Sequence, residues 1–358
     1  MKVYYTHAFL LVLTLCQISL FSQNGFILNK SQYEQALSTL SETLEGQPGS
    51  FKACVFEVEN AYFDGELAYQ QFDAQITFLA GMAAQLSQSQ ELEYRYSDAE
   101  KVKKYAAIFS VLTDSILLTS GENAAWHIPF HYDFEDVFGD RNWSQMFVSK
   151  LLATRRGNCH SLPYLYKILC EEMGVRAHLA LAPNHVYIKH YAEKTGWYNT
   201  ELTSATFPVD AWLMASGYIS LPAIQHGIYL DTLSEQESVA LCVVDLAQGY
   251  AHRYPDHDGS FVLRCCKLAL EYFPDCIPAL LLQADTYAKQ FQAIAQQNLE
   301  SPEAAQAFEQ MNQAYARIHQ LGYRQMPKEM YADWLLSLPK EKEKYVNPNV
   351  ATFKQGKE

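Results

Sequence analysis

Cys159 and His185 are the residues of this chain whose types and settings could do covalent chemistry, a thiol as nucleophile and an imidazole as base. They lie in the stretch RRGNCHSLPYLYKILCEEMGVRAHLALAPNHVYIKHYAEKTGWYNTEL, which begins at Arg155. Gly157 and Asn158 predict a turn, and Leu162, Leu165, Tyr166 and Leu169 recur at helical spacing up to Gly174. Cys159 is therefore expected at a helix N-terminus, where the backbone N–H groups and the positive end of the dipole favour a thiolate. The same N–H groups are expected to contribute to an oxyanion hole. Ala177 to Ala182 predicts a strand, Pro183 and Asn184 a turn, and His185 to His190 a second strand with Val186 and Ile188 on one face and His185, Tyr187 and Lys189 on the other. Gly196 closes a hairpin into a third strand, Trp197 to Leu202, on which Asn199 and Glu201 share a side. Helix, strand, strand and strand thus bring a nucleophile, a base and an orienting carboxylate, Glu201, within reach of one another.

Gly157-Asn158-Cys159, Leu165-Tyr166, Gly174, Pro183-Asn184-His185 and Gly196-Trp197 together resemble the bacterial transglutaminase-like superfamily, which shares its catalytic geometry with papain-type cysteine proteases. The resemblance covers some fifty residues. It implies that a helix-capping cysteine attacks an amide carbonyl, a strand histidine takes and returns the proton, and an aspartate on the next strand orients the histidine. Those roles fall on Cys159, His185 and Glu201. Where the family usually shows Asp four residues after the tryptophan, this chain has Glu201, and Asn199 is a second candidate for the third role, in the papain manner. The run RRGN, a helix and a Pro-x-His strand looks closest to a subgroup in which the core is followed by tetratricopeptide-like helices. Some members of that subgroup lack the cysteine; Cys159 is present here. What the resemblance implies is a cysteine-dependent acyl-transfer enzyme acting on amide bonds by hydrolysis or transamidation, with a peptide or protein substrate and no cofactor or metal. The competing expectation is a non-catalytic scaffold that binds a peptide or envelope protein through its helical repeats, around Leu281 and Tyr287.

Other reactive side chains have blander readings. His160 and His190 read as packing or surface residues, against a zinc site made of Cys159, His185 and His190. Trp197 reads as a core residue beneath the hairpin, and Cys170 as facing the interior. His127, His131, Asp133, Asp136 and Asp140 crowd an irregular aromatic stretch from Gly121 to Trp143, which reads as a loop packed on the next domain because no metal-binding spacing is framed on a helix or strand. Cys265-Cys266 is a poor zinc arrangement, since adjacent residues on a helix point apart.

The elements that must position the site suggest an α+β fold with a transglutaminase-like core, a Cys-bearing helix packed on a small antiparallel sheet, flanked by helical regions. The expected organisation is a signal peptide over 1–23, a helical region over 24–120, the core over 121–230, a helical-hairpin, tetratricopeptide-like region over 231–338, and a solvated tail over 339–358. Capping boxes are offered by Ser31 with Glu34, Ser97 with Glu100 and Ser234 with Glu237. The first opens a stripe of Ala36, Leu37, Leu40 and Leu44, the second a run through Val102, Ala106, Phe109, Leu112 and Ile116, and Asp64 to Leu86 also reads as helical. Phe261 to Phe273 and Ile277 to Phe291 read as a helix pair broken by Pro274-Asp275, and Ser301-Pro302-Glu303 as a further helix start.

Lys2 followed by the apolar run Ala8 to Phe21 and then Ser22, Gln23, Asn24 and Gly25 reads as a secretory leader cleaved near Ser22 to Asn24, which implies a periplasmic or secreted protein. An uncleaved membrane anchor is the minor alternative. Leu15 before Cys16 argues against a lipoprotein site. The net charge of −13 repels phosphate backbones, and no basic cluster offsets it, so nucleic acid is not an expected partner. Of the eight cysteines, seven would remain after cleavage, an odd number that leaves at least one unpaired; most read as small core hydrophobes.

Overall fold

A computed structural model describes residues 2–4 and 31–353. The leader's apolar run, Cys16 and the expected cleavage point lie outside the described residues. The fold is α+β, rich in helix with three small sheets. Among the described residues, no helix is long and apolar enough to cross a membrane.

Among the described residues, β1 (Lys2–Tyr4) is followed by the helices α1 (Ser31–Leu44), α2 (Phe51–Tyr62), α3 (Tyr69–Ser89) and α4 (Ala99–Thr113). The stretch read as one helix from Asp64 starts later, because Asp64 and Gly65 take left-handed φ values of 55° and 84° and turn the chain between α2 and α3. The expected capping box at Ser97 does not form. Asp98 occupies the N-cap of α4, and Ser97 instead donates to Glu193 through both its backbone N–H and its hydroxyl. Ile116, read as the last member of a helical stripe, opens a strand: α4 stops at Thr113, and β2 (Ile116–Ser120) turns at Gly121 into β3 (Asn123–His127), with β1 (Lys2–Tyr4) parallel to β2. A β-branched residue at the end of a helical period fits either structure, and burial of Ile116 on the strand decides it.

Short β4 (His131–Tyr132) and β5 (Arg156–Gly157) pair in parallel with Tyr132 opposite Gly157, and α5 (Val148–Thr154) lies between them in sequence. Gly157 is required here, since a Cβ would sit 2.5 Å from Ser161 Oγ and 2.7 Å from Leu151 Cδ1. Next come α6 (Ser161–Glu172) and an antiparallel meander of β6 (His178–Ala182), β7 (His185–Ala192) and β8 (Gly196–Thr200). Leu162, Leu165, Ile168 and Leu169 of α6 are buried, as is Cys170.

Short helices α7 (Asp210–Met214) and α8 (Leu221–Gln225) lead to α9 (Glu235–Arg253), α10 (Ser260–Tyr272), α11 (Ile277–Asn298) and α12 (Pro302–Gln320). The Ser234–Glu237 capping box is present, and Ser301 caps α12 by accepting from the Ala304 N–H. The flanking helical regions are not separate bodies. α1 and α2 pack on α9, and one core runs from Tyr33 through α6 to Phe353, because a helix with an apolar face must bury it against whatever the topology brings near. All seven cysteines among the described residues are free and buried.

The segment read as a solvated tail folds back onto the core. Past α13 (Lys328–Leu335), α14 (Ser337–Lys340) and α15 (Lys342–Tyr345), the Val209 N–H donates to the Tyr345 carbonyl and the Asn347 N–H to that of Phe207, while Tyr345 and Phe353 are buried. The charges at 340–344 lie on the outer side of helices whose apolar members face inward, so charge density alone misread the segment. Trp334 stacks on Trp212 with ring centroids 4.3 Å apart, and its Nε1 donates to the Trp212 carbonyl at 3.2 Å. Such a buried pair contributes about 1 kcal/mol beyond its burial.

Candidate active site

Cys159 sits in the turn just before α6, which has His160 as its N-cap. Asn158, itself buried, builds that turn. Its Oδ1 accepts from the N–H groups of His160 (3.0 Å) and Ser161 (3.1 Å), its backbone N–H donates to Ser161 Oγ (3.1 Å), and its Nδ2 donates to the Val137 carbonyl (3.1 Å). The helix-start N–H groups of residues 160 and 161, expected to serve an oxyanion hole, are thus taken up by Asn158. Replacing Asn158 by alanine leaves those two donors unsatisfied beside Cys159, and is expected to lower stability by about 3 kcal/mol in urea unfolding; an unchanged midpoint would remove Asn158 from this role.

His185 opens β7 opposite Ala182, directly after the Pro183-Asn184 turn in which Asn184 takes φ 57°, a left-handed value that Asn tolerates. The turn lays the Asn184 carbonyl over Cys159, its oxygen 3.7 Å from Sγ. His185 is fully enclosed. Its Nε2 lies 2.5 Å from Glu201 Oε2 and its Nδ1 3.0 Å from the Tyr331 hydroxyl. Glu201 Oε1 accepts from the Thr203 N–H (2.9 Å) and hydroxyl (2.5 Å), so both carboxylate oxygens are engaged. Burial alone would push the His185 pKa down, but the Glu201 charge and hydrogen bonds with Cys159 and Glu201 carry it up to about 10. Burial likewise opposes ionisation of Cys159 and Glu201, yet both are held below their usual ranges, Cys159 by the His185 hydrogen bond and charge and by Tyr331, Glu201 by His185 and Thr203.

Asn199, the second candidate for the third role, does not face His185. It lies opposite Lys189, and its Nδ2 donates to the Pro208 carbonyl (3.0 Å) and to Asp210 Oδ1 (2.8 Å). Two residues along a strand move a side chain by more than ~6 Å. Glu201, two residues beyond the Asn199–Lys189 pair, is the one whose carboxylate meets the histidine.

The alternative zinc arrangement of Cys159, His185 and His190 does not assemble. His190 lies five residues along β7 from His185, buried with its Nε2 3.1 Å from the Tyr166 hydroxyl and its ring against Tyr105. Among the described residues, no group of three His, Cys, Asp or Glu side chains is placed to hold a metal ion. In the aromatic loop, Asp133 pairs with Lys150 and Arg156, Asp136 accepts from the Arg141 and Asn142 N–H groups, and His127 meets the Val111 carbonyl at 2.7 Å. Trp197 is not beneath the hairpin: it is 51% exposed, against His178 and Tyr191.

No family model matches the chain, and no curated protein matches it. Among solved structures it is similar to one described as the crystal structure of menin that reveals the binding site for Mixed Lineage Leukemia (MLL) protein, at 14% identity and a TM-score of 0.38 over 84% of this chain and 73% of that one. That likeness is too distant to bear on the site.

Several site residues were missed by the motif because they come from far along the chain. Tyr331 of α13 and Tyr132 of β4 both set their hydroxyls at Cys159, 3.4 Å from each other. Trp212 and Trp334 enclose the His185 ring edge-on. Asp245 of α9 meets His160, the residue after the cysteine. A cleft of about 360 Å³ opens beside Cys159 and His185, between Leu181 and Val186 of the sheet and Leu241, Val244, Ile277 and Leu281 of the helical array. Nothing in the local sequence around Cys159 signals any of these.

Proposed function

We propose that the protein is a cysteine-dependent acyl-transfer enzyme with a transglutaminase-like, papain-type core, acting on amide bonds through a thioester on Cys159. The observation that carries this reading is the grouping of Cys159 and His185 on one cleft, with Glu201 2.5 Å from His185 on its buried side. In the reading, the Cys159 thiolate attacks the carbonyl carbon and the His185 imidazolium passes its proton to the leaving amine. Water or a second amine, deprotonated by His185, then attacks the thioester and releases the acyl group, restoring the thiolate. Glu201 keeps the imidazole oriented and charged. The hydroxyls of Tyr132 and Tyr331 are the donors available for the developing oxyanion, since Asn158 occupies the helix-start N–H groups. The apolar cleft beside Cys159 suits a peptide or protein segment with a bulky apolar residue next to the scissile amide.

The same cleft favours a second reading, a scaffold that binds a peptide between sheet and array without chemistry. Thiol titration separates the two. Alkylation of Cys159, followed by peptide mass spectrometry across pH, is expected to show a midpoint below ~7 in the native protein and a return toward ~8.5 in His185→Ala. An ordinary midpoint in the native protein would rule out the enzyme and leave the scaffold.

A further inference from the structure

The proposed mechanism uses one histidine, but a second, His160, follows Cys159 in the chain and lines the same cleft. His160 is held at both ring nitrogens by acceptors. Its Nδ1 is 2.9 Å from the Met146 carbonyl oxygen and its Nε2 is 3.0 Å from Asp245 Oδ1. A neutral imidazole carries one N–H, so one of these contacts would set a lone pair against an oxygen lone pair. A carbonyl cannot donate. Asp245 Oδ2 already accepts the Tyr164 hydroxyl at 2.7 Å, so Oδ1 is the oxygen that meets His160. Both contacts are satisfied together only when the ring carries two protons.

We propose that His160 is a positioning residue: a protonated imidazolium, clamped between the Met146 carbonyl and the Asp245 carboxylate, that helps His185 hold Cys159 as a thiolate and transfers no proton itself. The inference rests on the acyl-transfer reading of Cys159. It gives the site an alternating row of charges, Asp245, His160, Cys159, His185 and Glu201, in which the thiolate has a carboxylate-backed imidazolium on each side. The titratable groups around His160 are Cys159 on its own segment, Tyr164 on α6, Cys242 and Asp245 on α9 and Glu59 on α2. Glu59 accepts from the Val148 (2.6 Å) and Ser149 (2.8 Å) N–H groups. Burial pushes its pKa up to about 7, opposed by the bonds from Ser149 and Val148 and by His160. Burial works against a charged His160 too, and the Asp245 charge and hydrogen bond outweigh it, so its pKa stands above the ordinary value. Cys159 in turn contributes to that rise, and His160 to the lowering at Cys159. Because both N–H groups are committed to fixed acceptors, the base role is left to His185.

The test is the pH dependence of Cys159 alkylation in the native protein, in His160→Gln, which keeps N–H donors without the charge, and in His185→Ala. Circular dichroism checks the fold of each variant. The proposal expects His160→Gln to raise the thiol midpoint by about one pH unit, slowing alkylation about tenfold at pH values below the native midpoint. A low native midpoint that rises in His185→Ala but not in His160→Gln overturns this inference and leaves the acyl-transfer reading standing; an ordinary native midpoint overturns both. If His160→Gln fails to fold, ¹⁵N-histidine spectra of the native protein decide the matter. A His160 ring with both nitrogens protonated at pH 8 supports the proposal, and a single protonated nitrogen refutes it.

Discussion

Replacing Cys159 by alanine is expected to remove the turnover of p-nitrophenyl esters and anilides by at least ~10⁴-fold, along with the acyl-enzyme that acid quenching should trap on the native Cys159 peptide. The expectation follows from the enclosure of the thiol. The wall around Sγ is made of Tyr132, Tyr331, Asn184 and His185, so no second nucleophile is on hand to replace it. Losing the sulfur from so well packed a turn should cost about 1 kcal/mol of stability, which separates lost chemistry from lost fold. The native pH profile should rise on its acid side well below the titration of a free thiol, because Cys159 is lowered, and fall near pH 10 as His185 loses its proton. Turnover in Cys159→Ala equal to that of the native protein would show that the activity measured belongs elsewhere.

Glu201→Gln carries the second large effect. The Glu201 charge is what opposes the burial of His185 most strongly, so an uncharged amide in its place lets burial win and the imidazolium is lost at neutral pH. The thiol then loses its main partner. The ratio kcat/KM should fall by about 10³- to 10⁴-fold, the alkaline limb of the profile should move from near pH 10 toward neutrality, and Asn199→Ala should leave that limb where it is. The pair also stabilises the fold with a definite sign. His185 titrates at about 10 when folded and near ~6.5 when unfolded, so its contribution is complete below about pH 6.5 and is lost as the pH rises through 10. Urea unfolding at pH 6 and pH 10 should therefore show a native protein that weakens at the higher pH and a Glu201→Gln variant with a smaller difference. A variant with the native alkaline limb would mean that Glu201 does not hold the charge on His185.

Features governed by near neighbours in the chain were readable without coordinates. The turn at Gly157-Asn158, the apolar stripe of α6, the Pro183-Asn184 hairpin, the Ser234 capping box and the helix pair broken at Pro274 each depend on residues within a turn or two of one another, and local propensity and periodicity settle such elements. Wherever two local signals competed, the tertiary structure chose. Ile116 ended a helical period, yet its burial suited a strand. Ser97 and Glu100 had capping spacing, but Glu193, from the β7–β8 hairpin, claims the serine. The charged residues at 340–344 suggested a tail, although the apolar residues around them close over the site.

Identity of the third residue shows the limit most clearly. Asn199 and Glu201 share a strand face in sequence, and only the register that sets Asn199 opposite Lys189 and the claims of Pro208 and Asp210 on Asn199 assign the contact with His185 to Glu201. Tyr132, Tyr331, Trp334 and Asp245 lie still further out of reach of a motif. They meet Cys159, His185 and His160 from β4, α13 and α9, elements whose neighbours in space are set by which apolar faces bury one another. A sequence carries those faces but not their pairing, so the chain alone determined where Cys159 and His185 sit and the turns that present them. The charge balance around the thiol was decided by packing.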